Sequence, residues 1–167
     1  MKEFEQSQID SAKGFFESRG FPIETSQLDG LTVSYYVLPQ DLNPVLPDFA
    51  FRMTTSGSQT GEVTGIFGVS DSIPQELRPF WAGHEIIEFI EIGISEKSRC
   101  VEAEDRIVGI VPPELKDDFL ARRVDFFTGL VRYFQTELEK GSQDFTHDDL
   151  EEAQKALGYL QGIQKVG

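Results

Sequence analysis

Between Glu114 and Lys140 apolar residues return every four and three positions, as Leu120, Val124, Phe127, Val131, Phe134 and Leu138. Phe119, Phe126, Leu130 and Tyr133 widen that stripe on either side. The period predicts one helix over about 114–140, bounded by Pro112-Pro113 before it and Gly141 after it. At ~1.5 Å per residue it spans on the order of 40 Å. So long and broad an apolar face must be covered, and the reading preferred is that the helix is the spine of one core. A dimer seam is the alternative, which leaves a homodimer open.

The remaining elements fit around this spine. Ser7 with Asp10 resembles a capping box, and Ile9, Ala12, Phe15 and Phe16 trace a helical face that Gly20 and Phe21-Pro22 terminate, predicting a helix over about 8–19. LTVSYYVL (31–38) alternates Leu31, Val33, Tyr35 and Val37 on one face, and FAFRMTT (49–55) repeats the pattern. The polar run SGSQTGE leads into a third strand, VTGIFGVS (63–70), where Gly65 and Gly68 suggest a bulge or a close backbone approach. Pro79 suits the first turn of a helix running to about Ile92, a further helix covers about 96–110, and Thr146 with Asp149 caps a last helix. The fold expected is α+β: an N-terminal helix, a three-stranded antiparallel sheet, then four helices. A length of 167 residues fits a single domain, 1–167.

Charge narrows the function classes. Fifteen Lys and Arg stand against 29 Asp and Glu, a formal net charge of -14. Such a surface repels phosphate backbones and anionic lipid, which argues against nucleic acid bound through a basic face and against membrane association, and favours a protein partner with a basic surface. Cys100 is the only cysteine, so no disulfide or cysteine-based zinc site can form within the chain. Its register with Ala103, Ile107 and Ile110 predicts a buried structural thiol. MKEFEQSQIDS at the start has no apolar core of a secretory signal, and no apolar run reaches bilayer length, so the expected location is the cytoplasm.

The stretch GHEIIEFIEIG (83–93) carries the strongest chemical pattern. On a helix, Phe80, Gly83, Ile86, Ile87 and Ile90 gather on one side, while His84, Glu88 and Glu91 line another at i, i+4 and i+7, with Glu85 beside them. An imidazole and two carboxylates so spaced read either as a solvated polar face or as part of a metal site. HEIIE resembles the HExxH helix of zincin metallopeptidases, in which two histidines one turn apart bind zinc and the intervening glutamate activates water. The resemblance implies that His84 is a ligand and Glu85 the general base, while Glu88 stands where the second histidine belongs. Glu88 can still ligate through oxygen, and Glu102 or Glu104 on the next helix can supply a third ligand. A set of His84, Glu88 and Glu102 holds a divalent ion, zinc or, given its oxygen content, manganese or iron.

Two functions from different classes follow. The preferred expectation is a non-catalytic protein-interaction or regulatory domain that presents an apolar patch with an acidic rim to a more basic protein. The alternative is a metal-dependent hydrolase, or a degenerate zincin-like descendant, built around His84. Trp81 either covers His84, marks a partner contact or packs under a neighbouring loop. Arg122-Arg123 is placed to pair with the acidic helix before it, as a surface contact of modest value.

Overall fold

A computed structural model describes residues 4–56, 63–91 and 99–166. The expected turn at 57–62, the end of the GHEIIEFIEIG stretch from Ile92 on, and the start of the helix expected at 96 lie outside the described residues. The fold is α+β, and two compact units make it up, Met1–Ile94 and Ser95–Gly167.

The first unit holds helix α1 (Gln6–Ser18), strands β1 (Ile23–Leu28), β2 (Leu31–Leu38), β3 (Ala50–Ser56) and β4 (Val63–Ser70), and helix α2 (Arg78–Ile86). The sheet has four strands in the order β1-β2-β4-β3, and it is mixed: β2 and β4 run parallel, the other two pairs antiparallel. This corrects the expected three-stranded antiparallel sheet. The missing strand, IETSQL, has too few apolar residues to read as half-buried, because it is an edge strand whose side chains are mostly exposed or half-exposed. It pairs with β2 through the two-residue turn Asp29-Gly30, where φ is 49° and 84°. Two consecutive positive φ angles define the turn whose twist matches a hairpin.

Opposed residues share a sheet face, which assigns the two coverings. Tyr36, Gly68 and Phe51 stand in register on one face, where Phe16 of α1 packs with Tyr36, Leu38 and Phe49. Phe16 lies 5.0 Å from the Tyr36 ring and 5.4 Å from that of Phe51. Farther along, the same face is a polar ladder, with Thr25 Oγ1 2.9 Å from Ser34 Oγ and Gln27 Nε2 donating to Thr32 Oγ1 at 2.8 Å. The opposite face carries Val37, Val69, Phe67 and Arg52, and α2 packs against all four strands. Gly65 lies on that face by its register, and a Cβ there would sit 2.4 Å from the Met53 carbonyl oxygen. The ladder from Ala50↔Val69 to Ser56↔Val63 has no bulge, so close approach accounts for this glycine.

α1 begins two residues earlier than its pattern suggests. The Glu5 N–H donates to Gln8 Oε1 at 2.9 Å, which places Ser7 inside the helix instead of at its cap. Gly20, at φ 70°, ends α1: its N–H reaches the Glu17 carbonyl and the Phe21 N–H that of Phe16. Gly141, at φ 78°, ends the long helix in the same way, with the Ser142 N–H on the Glu137 carbonyl.

The second unit is three helices, α3 (Arg99–Ile110), α4 (Pro113–Glu139) and α5 (His147–Val166). The predicted box caps α5: Thr146 N–H donates to Asp149 Oδ2 at 2.9 Å and Asp149 N–H to Thr146 Oγ1 at 3.2 Å. α5 packs against both α3 and α4. Glu104 of α3 and Arg123 of α4 form an ion pair in which both side chains are buried, and the guanidinium lies 4.8 Å from the Phe127 ring centre. The sequence places this arginine in a surface pair; it is an interior one. Cys100 and its neighbours Ala103 and Ile107 are buried, as the period predicts. No helix among the described residues is long and apolar enough to cross a membrane.

Candidate functional site

Pro79 occupies the first turn of α2, and the helix delivers His84 near its end, where the hydrogen bonding widens to a π segment over Ile87–Glu91. Single π turns inside helices are uncommon and recur at functional sites. Phe80, Gly83, Ile86 and Ile87 are buried, as their spacing requires. The polar stripe departs from expectation. His84 is 2% exposed and Glu88 8%, so this is an interior pair and the solvated-face reading is wrong. His84 Nε2 and Glu88 Oε2 lie 2.8 Å apart. Two donor atoms at that separation can share one ion at the usual ~2 Å bond lengths, or share one proton between them.

The other expected participants are placed as follows. Glu85 is half-buried on the same helix, one position from His84. Glu102 is exposed in the first turn of α3, in the second compact unit. Glu104, the other acid considered as a ligand, pairs with Arg123. The Glu91 side chain lies outside the described residues. His147 opens α5 and is exposed.

Trp81 takes the bland role. It is fully buried, and its Nε1–H donates to the Asp48 carbonyl at 3.1 Å, holding down the loop that joins β2 to β3. Ser72 fixes the same loop, its Oγ lying 2.6 Å from Asp48 Oδ1 and 2.7 Å from the Pro47 carbonyl oxygen. Beneath the loop lies an apolar recess of about 280 Å³, walled by Phe16, Leu38, Leu42, Phe49 and Phe51. Sequence periodicity cannot find such a recess, because its walls come from α1, β2, the connection that follows it and β3.

A surface feature appears on α4. Its buried residues are Phe119, Leu120, Arg123 and Phe127, all in the first part of the helix. From Leu130 to Leu138 the apolar stripe continues, yet Leu130, Val131, Tyr133, Phe134 and Leu138 are only half-buried. Phe145, in the loop before α5, packs on Phe134 at 4.9 Å and Tyr133 at 5.5 Å and is itself half-buried. Asp144, beside Phe145 in the sequence, and Asp148 and Glu151 in the first turns of α5 are exposed. The expectation that α4 is a core spine therefore holds for its first half only. The stripe alone gives no sign of the change, since the period is unbroken; α3 has 12 residues against the 27 of α4.

Set against known proteins, the chain matches no protein-family model, no curated protein and no solved structure.

Proposed function

We propose that this protein is a non-catalytic interaction domain that binds a basic partner protein through the half-covered apolar end of the α4–α5 pair. One observation supports the reading above others: the stripe of α4 continues through Val131, Phe134 and Leu138, which are only half-buried. An apolar centre inside a polar rim is the anatomy of a protein interface, with aromatic residues over-represented at its anchors. The exposed Asp144, Asp148 and Glu151, on a chain of net charge -14, favour a basic counterpart. Selection of binders from a random displayed-peptide library tests it. Recovered sequences should combine Lys or Arg with large apolar residues and lose binding to Phe134→Glu. Recovery of acidic binders, or of binders indifferent to that substitution, sinks the proposal.

A second reading has its own support, the 2.8 Å approach of His84 to Glu88 on a helix that turns π. Here the pair holds a zinc, manganese or iron ion and Glu85 is the base of a hydrolase. Metal analysis of the purified protein, repeated on His84→Ala, decides it. Stoichiometric metal lost in the variant supports the site; the same trace metal in both proteins removes it.

A further inference from the structure

α3 marks where the helical unit is three helices thick. Its middle is fixed to α4 by Glu104–Arg123 and to α5 by the Tyr159 hydroxyl, which donates to Asp105 Oδ1 at 2.6 Å. At ~1.5 Å per residue α3 extends about 18 Å along a partner of about 40 Å, so among the described residues of this unit roughly 20 Å of the α4–α5 pair continues without a third helix. Over that length the structure has two helices with apolar flanks, Leu130, Val131 and Phe134 on one and Leu150 on the other, all half-buried. Two helices packed side by side leave a groove that a third fills by the same ridge-and-groove packing.

From this we infer that the partner segment is an amphipathic α-helix of about four turns, with a basic rim, that occupies the third-helix position beyond the end of α3. The inference rests on the interaction reading above and adds the partner's conformation to it. Charge selects this occupant over a second copy of the chain. A second copy would bring its own Asp144, Asp148 and Glu151 against the same acids, whereas Lys and Arg on the rim of a foreign helix would meet them with opposite sign. Helices recognised in grooves present anchors at i, i+3, i+4 and i+7, the spacing that would place two or three apolar side chains against Phe134 and its neighbours.

Four synthetic peptides of about 14 residues test it on the full chain. The first has a leucine face and a lysine rim, the second the same face and a glutamate rim. The third is a scramble of the first that destroys its apolar face, and the fourth is the first with two central prolines. Affinity is read by fluorescence anisotropy, and the binding site by amide chemical-shift changes. The expected result is binding of the first peptide alone, with shifts at Leu130, Phe134, Phe145 and Leu150, and a loss of about tenfold in Phe134→Glu. Because Phe134 packs on Phe145 and its replacement can disturb the fold, the exposed pair Asp148→Lys/Glu151→Lys serves as a second variant. It should weaken the lysine-rimmed peptide about fivefold and admit the glutamate-rimmed one. Equal binding of the proline peptide overturns the helical partner and leaves the interaction reading standing. Binding of none of the four, or of the scramble as tightly as the first, overturns both. Shifts at Leu42 and Phe51 instead would move the site to the recess and overturn the inference. Concentration-dependent dimerisation with shifts at Phe134 would replace the foreign helix with a second copy.

Discussion

The two compact units differ in the ion pairs they hold and in how their longest apolar faces are covered. In the sheet unit both faces of the strands are largely covered, with Ile23 of the edge strand left exposed, and besides the interior His84–Glu88 contact it has an ion pair that solvent reaches. Arg78 Nη1 donates to Glu24 Oε2 at 3.1 Å, with side chains 16% and 24% exposed. In the helical unit an ion pair is inside, with Glu104 0% exposed and Arg123 2%, while part of the apolar stripe of α4 is left half-covered. A unit that places charge within and leucine and phenylalanine at its edge has not minimised its own folding free energy, since a buried ion pair is often no better than apolar residues of equal volume. The retained apolar edge is what connects this unit to an interaction function.

The largest test of that contrast is removal of one member of each ion pair. Glu104→Ala leaves Arg123 charged in the interior and should cost about 3–5 kcal/mol in urea denaturation. Arg78→Ala, at the partly exposed position, should cost about 1 kcal/mol. Similar losses at the two sites would erase the distinction. The double replacement Glu104→Leu/Arg123→Leu sharpens it, because deleting both charges should restore most of the stability that the single change removes. A second test is confined to the sheet unit. Gly65→Ala puts a Cβ against the Met53 carbonyl and 2.8 Å from Thr54 Cγ2, and backbone cannot yield as a side chain can. A cost of about 1–3 kcal/mol is expected. A neutral substitution would mean that the β3–β4 ladder is looser than its close register implies.

Legibility in the sequence follows the same division. Strand β2 was readable to the residue because Val33, Tyr35 and Val37 alternate over a covered face, and α4 to within a residue at each end because its period persists through about five turns. β1 was missed because an edge strand needs no apolar alternation; its real signal was the dipeptide Asp29-Gly30, a turn former between two extended runs. The β2–β4 pairing was out of reach, since parallel neighbours are joined by non-local contacts that leave no local pattern. At the candidate site, the i, i+4 spacing correctly brought His84 to Glu88. Their burial and the π turn were not legible, because a helical wheel assigns a face without saying what covers it.

Alkaline pH offers the finest comparison, because each unit holds one tyrosine against a carboxylate. Tyr35 donates to Glu24 Oε1 at 3.1 Å, and burial, then that bond and the nearby negative charge, push its pKa well above the ordinary value near 10. Tyr159 is raised for the same reasons, burial first and Asp105 second, but it is only half-buried. A folded state that keeps a proton the unfolded chain releases is stabilised fully below pH 10. It loses that advantage as pH climbs from 10 toward the raised value, at up to about 1.4 kcal/mol per pH unit for each such group. Urea midpoints at pH 9, 10 and 11 should therefore fall for the native chain, and Tyr35→Phe should flatten the fall, since phenylalanine has no proton to release in either state. Tyr159→Phe should flatten it less, because solvent reaches that hydroxyl and screens Asp105. Equal slopes in the native chain and Tyr35→Phe would show that the Glu24 contact opens before the tyrosine titrates, and would make the perimeter of the sheet unit as yielding as the half-covered end of α4.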